Sequence, residues 1–241
     1  MKATLATAPL TILALFGTIA CSSPAQAPST GQQSPNVAGA QSPASQGAAN
    51  PAANQPADMS QSSEGATVLR IQPGASTASF TVDEILRGSP NTVIGTTNQV
   101  SGEIALDASD PSTTKVGTIT VDARTLATDD NQRNNMLHRF ILSTSAFNFV
   151  SFTPTTITGL PAAITPGTSY PVRIDGKLTI KDTTRDASFD ASVTPMSLSE
   201  LKGSASTTIS QSDFGITIPQ IPFVAGVSDN VRLDLDFLAS A

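Results

Sequence analysis

The sequence predicts an all-β fold: an antiparallel, eight-stranded barrel with one short helix. Three observations carry this. Apolar and polar residues alternate with period two along most of the chain after Ala66, the mark of strands buried on one face. Short connections between these runs favour a closed up-and-down barrel over a two-sheet sandwich. Only one stretch, Asn131 to Phe152, carries helical spacing.

Residues 1–21 read as an export signal. Lys2 precedes an apolar run through Leu10, Leu15, Phe16 and Ile19, too short and too early for a retained membrane span. Thr18-Ile19-Ala20-Cys21 resembles a bacterial lipobox, whose cysteine becomes lipidated, although Thr18 stands where Leu is usual. Ala25-Gln26-Ala27 offers a competing cleavage, but the following Pro28 disfavours it. Cys21 is the only cysteine, and the expectation is an exported protein, lipid-anchored there to the cell membrane and facing the periplasm or the exterior. With Cys21 spent, the domain has no disulfide and no thiolate for catalysis or zinc. Residues 22–65 are rich in Gln, Ala, Pro, Ser and Gly, and cannot bury enough apolar surface to offset the entropy of ordering. They read as a tether, and residues 66–241 as the barrel. The net charge of −6 argues against a nucleic-acid partner, which requires a basic face.

Within the domain, Ala78, Phe80 and Val82 alternate with Ser79, Thr81 and Asp83, and Glu84 continues the inward parity. Gly88-Ser89-Pro90-Asn91 reads as a turn. Val100, Gly102, Ile104 and Leu106 form the next inward set, followed by Ile119, Val121 and Ala123. After the helix, Phe152 to Ile157 is a strand that Pro154 places at an edge or a bulge. The firmest signal is a hairpin. Val172, Ile174, Gly176, Leu178 and Ile180 share one face, Lys181 to Asp186 turns the chain, and Ala187, Phe189, Ala191 and Val193 return. Leu201 to Ile209 is a weaker strand. Val231, Leu233, Leu235 and Phe237 close the fold. Ile216 to Ala225, apolar with two prolines, reads as a loop at a barrel rim.

The helical stretch holds four of the ten phenylalanines. Thr128 or Asp129 is the expected cap, and Asp129 and Asp130 suit the positive end of the dipole. Met136, Leu137, Phe140 and Ile141 fall on one face. Such a helix either packs on the core or gates a cavity.

An eight-stranded barrel is filled by its own side chains or holds one apolar ligand. The small inward residues Gly102, Ala123, Gly176, Ala187 and Ala191 tilt the expectation towards a cavity, while phenylalanine rings filling that room is the alternative. Phe80, Val82, Phe189, Leu233 and Phe237 are inward by parity, and Phe140, Phe147, Phe149 and Phe152 flank the mouth. These are the candidate wall. Glu84, if buried, needs a partner such as Arg87 or Arg173; a solvated strand end is the simpler expectation. His138, the only histidine, has no nucleophile motif such as G-x-S-x-G to serve, and the scattered carboxylates form no metal set. Catalysis, a cofactor and a metal are not expected.

Three segments together resemble the YceI-like family of bacterial periplasmic or surface domains. They are Leu137 to Phe152; Gly176-Lys177-Leu178-Thr179-Ile180-Lys181-Asp182-Thr183-Thr184-Arg185; and Ser212-Asp213-Phe214-Gly215-Ile216 with Ala225 to Val231 and the closing strand. The resemblance covers about Ala66 to Ala241. It implies a lipocalin-like barrel that binds a polyisoprenoid or quinone-like molecule without catalysis, and Phe214 is counted with the cavity candidates. Three departures stand out. Glu84 occupies a position where the family commonly has His, Asp182 replaces the hairpin Gly, and Pro154 is displaced within its strand. If the family's His meets a ligand head group, Glu84 disfavours a phosphate and tolerates a quinone or an alcohol. From another class, a solid barrel would serve as a cell-surface interaction or stress-protective module.

Overall fold

Alternation along the chain becomes one continuous antiparallel sheet in the computed structural model, which describes residues 65–219, 222 and 224–241. The expected export signal, Cys21 and the expected tether up to residue 64 lie outside the described residues, as do Gln220, Ile221 and Phe223 of the apolar loop. Thirteen strands form the sheet: β1 (Thr67–Ile71), β2 (Thr77–Leu86), β3 (Ser89–Thr97), β4 (Val100–Ser101), β5 (Glu103–Leu106), β6 (Lys115–Val116), β7 (Ile119–Asp122), β8 (Phe149–Thr158), β9 (Tyr170–Ile180), β10 (Thr183–Ser197), β11 (Glu200–Ser210), β12 (Val224–Ala225) and β13 (Asn230–Ser240). Helix α1 (Asn131–Met136) runs into a π turn (Leu137–Ile141).

The eight expected strands are present, with Val100 to Leu106 broken into β4 and β5 at Gly102. β1, β3 and the short β6 and β12 are additional. The path β4-β7-β8-β9-β10-β11-β13-β1-β5-β6 returns on itself at Gly102: Val100 and Ser101 pair with β7, and Glu103 to Leu106 pair with β1. β13 forks. Its first half (Val231–Asp236) pairs with β2, and Ala239 and Ser240 pair with β1. Ser76 sits in the fork, 1% exposed, its Oγ accepting the Leu238 N–H at 3.2 Å.

Several turns differ from expectation. Leu86 pairs with Ser89, so the β2–β3 turn is Arg87–Gly88, both at positive φ (52° and 83°). That is the type I′ geometry whose twist matches a hairpin. Ser89, Pro90 and Asn91 therefore belong to β3, which brings Asn91 opposite Glu84. Similarly, the β9–β10 turn is only Lys181–Asp182, because Thr183 pairs with Ile180. Pro154 does mark a bulge, with the β8–β9 register shifting between Pro154 and Thr156. The proline-containing loop ends in strand β12, which pairs with Leu86 and Ile85.

The core has two apolar clusters. One gathers Leu69, Ile71, Ala78, Ile104, Leu201, Phe237 and Ala239 around β1, β5 and β13. The other gathers Leu126, Leu137, Leu142, Leu178, Ile180 and Phe214 beneath the helix.

Candidate ligand cavity

Residues of both clusters line one continuous cavity of about 910 Å³, near the upper end of the range for small-molecule sites. Its wall is overwhelmingly aliphatic and aromatic. Phe80, Val82, Glu84, Phe152, Phe189, Leu233 and Phe237 all line it, as strand parity requires for alternate residues of β2, β8, β10 and β13. Phe152 and Phe189 meet edge to face, with centroids 4.7 Å apart.

The small inward residues do not all leave room. A Cβ on Gly176 would fall 2.7 Å from Phe152 Cζ, and one on Gly102 would fall 2.5 Å from Ile119 Cδ1. Neighbouring rings and branches occupy those spaces, and the cavity lies between them.

Four sequence candidates are not in the lining. Phe140 is 57% and Phe149 50% exposed. Phe149 has the opposite strand parity to Val150 and Phe152, so it faces outward, and the Arg124 guanidinium covers its ring at 5.5 Å. Phe140 is turned out by the π turn: Leu142 N–H bonds back to Leu137 O at 2.8 Å, five residues away, and the wider turn breaks the 3.6-residue face. Phe147 is half-buried outside the cavity. Phe214 is buried at 3% exposure in the cluster beneath the helix. From the helical stretch, Met136, Leu137, Ile141 and Leu142 line the cavity instead.

Glu84 is buried at 8% exposure, not solvated. Its Oε1 accepts Asn91 Nδ2–H at 2.9 Å and faces Arg133 at 3.5 Å. Arg173, one of the two arginines expected as a partner, pairs instead with Asp190 at 3.1 Å. Arg133 stands on the first turn of α1, where it also pairs with Asp129 at 2.6 Å. That turn is capped by Asp130, not by Thr128 or Asp129, its Oδ1 accepting the Arg133 N–H at 2.8 Å. His138 donates from Nε2 to Leu126 O at 2.8 Å, stapling the helix to the segment before it. Arg133 and Asn91 carry no periodic or motif signal; the parity of Glu84 was the one clue that a partner was needed.

A family model described as a YceI-like domain matches residues 69–239. No curated protein is a significant match. Among solved structures, a polyisoprenoid binding domain from Saccharophagus degradans superposes with a TM-score of 0.58 at 15% identity, covering 72% of this chain and 98% of its own. Burkholderia cenocepacia BcnA superposes with a TM-score of 0.55 at 18% identity, covering 70% and 99%.

Proposed function

This chain belongs to the YceI-like family, and on that premise we propose that it binds a long apolar molecule, isoprenoid or quinone-like, inside the barrel. The observation that carries this reading is the continuous apolar cavity of about 910 Å³. Burial of each methylene there is worth roughly 0.8 kcal/mol before the cost of ordering the chain. The similar Saccharophagus degradans domain, described as polyisoprenoid binding, supports the same ligand class. A cavity of this size weighs against the solid-barrel interaction module.

The role proposed is sequestration or carriage, not catalysis. The single histidine is engaged with a backbone carbonyl, and its neighbours include no nucleophile motif. The export signal and Cys21 support a tethered, extracytoplasmic carrier that works beside the membrane supplying its ligand. Two measurements test this. Delipidated protein should take up a labelled prenol saturably with one-to-one stoichiometry; no saturable uptake overturns the binding reading. Cys21→Ser should move the protein from the membrane fraction to the soluble fraction; unchanged partition overturns the anchor.

A further inference from the structure

Polar groups are distributed unevenly around the cavity. Ala78 belongs to the apolar cluster of β1, β5 and β13. Glu84 lies six residues along the same strand, about 20 Å away. Around Ala78 the lining is Ile71, Ile104 and Phe237, with Ser79 and Asp234 beside them. Around Glu84 it is Arg87, Asp130, Gln132 and Arg133. Four of the five charged residues in the lining therefore gather at the Glu84 end, which fits an amphiphile whose head lies there and whose tail runs towards β1 and β5.

The buried charge at this end is a carboxylate. Glu84 is 8% exposed, while Arg87 and Asp130 in the same part of the lining are exposed. Arg133 faces it at 3.5 Å but holds Asp129 more closely, at 2.6 Å. Asp130 caps the same turn. Two carboxylates, Glu84 and Asp130, line this end with the guanidiniums of Arg133 and Arg87, and Arg133 is already shared with the exposed Asp129. A phosphate entering here would be stripped of water next to a buried carboxylate, with no uncommitted cation from Arg133. A hydroxyl would lose little, because a carboxylate readily accepts its hydrogen bond.

Resting on the lipid-binding reading of this cavity, we infer that the Glu84–Arg133 pair selects a lipid with an uncharged, hydroxyl-bearing head over its phosphorylated counterpart. Glu84 accepts the head's O–H, and its charge rejects the phosphate.

The test compares geranylgeraniol with geranylgeranyl monophosphate on delipidated full-length protein, each variant scored by the ratio of the two affinities. The unsubstituted protein should prefer the alcohol by about tenfold or more. Glu84→Gln, isosteric and still able to accept from Asn91, should narrow that ratio several-fold. Arg133→Gln leaves the carboxylate uncompensated and should widen it. A loosened fold would weaken both ligands together and leave the ratio unchanged, so Arg133→Gln decides the matter if Glu84→Gln folds poorly. Equal affinities in the unsubstituted protein, or ratios that neither substitution moves, overturn the inference while leaving lipid binding intact. Failure to bind either ligand overturns lipid binding itself, and head selection with it.

Discussion

A Cβ placed on Gly95 would fall 2.2 Å from Phe80 Cε1, so the Phe80 ring occupies the space that any side chain at residue 95 would need. The two residues are direct partners across β2 and β3. Gly203 and Phe237 repeat the arrangement across β11 and β13, where the Cβ would lie 2.6 Å from Phe237 Cζ. Laying a ring over a glycine on the neighbouring strand covers the exposed backbone and fixes the ring against the wall. The bulk of the phenylalanine then stays beside the strand instead of crossing the cavity.

Gly95→Ala should therefore displace Phe80 into the cavity. The expected loss is about 1–3 kcal/mol of stability, measured by urea unfolding, together with weaker ligand uptake. Unchanged stability would mean that the ring moves freely, contrary to its placement.

Ala191, 8% exposed on β10, faces the cavity. Ala191→Phe should fill space without displacing the strands, because there is a void to receive the ring. Prenol retention should fall sharply while the melting transition remains cooperative. Retention at the original level would place the ligand elsewhere.

Asp130 and Asp129 are neighbours with different duties. Asp130→Ala removes the cap that accepts the Arg133 N–H and should cost about 1 kcal/mol. Asp129→Ala removes only a surface ion pair, the carboxylate being 86% exposed, and should shift the urea midpoint little. Equal losses would contradict the assignment of the cap.

The acid limb of stability should trace to named carboxylates. Asp229 is held below the usual carboxylate range by the Ser212 backbone N–H and then its hydroxyl; Asp122 by the Arg124 side chain; Asp107 by the Ser109 hydroxyl. A depressed folded value means that the stabilisation is present above the unfolded pKa of about 3.9, and is lost as pH falls through the folded value. The urea midpoint should hold above about pH 5 and fall below about pH 4. Asp229→Asn should flatten that fall; an identical acid limb in the variant would contradict the assignment.

Period-two alternation made the long strands legible, because one face of each meets the core. β3 was obscured by Gly88-Ser89-Pro90-Asn91, a cluster that resembles a turn; Arg87 at φ 52° supplies half of the real turn, and Arg gives no such signal. Glycine spacing was read as empty room, yet the room at Gly176 belongs to the Phe152 ring. In the helical stretch, the 3.6-residue period placed Leu137 and Ile141 correctly and failed at Phe140, where the π turn changes the period. Glu84 was legible as inward by parity. Arg133 was not, since the contact joins residues 49 positions apart and depends on where the whole helix docks.

Native mass spectrometry of the protein, purified from a bacterial host without detergent, tests the central claim most directly. A retained mass of several hundred daltons that extracts into organic solvent and fragments as an isoprenoid or a prenylated quinone is the predicted result. A clean apo mass that remains apo after incubation with quinones and prenols would contradict it.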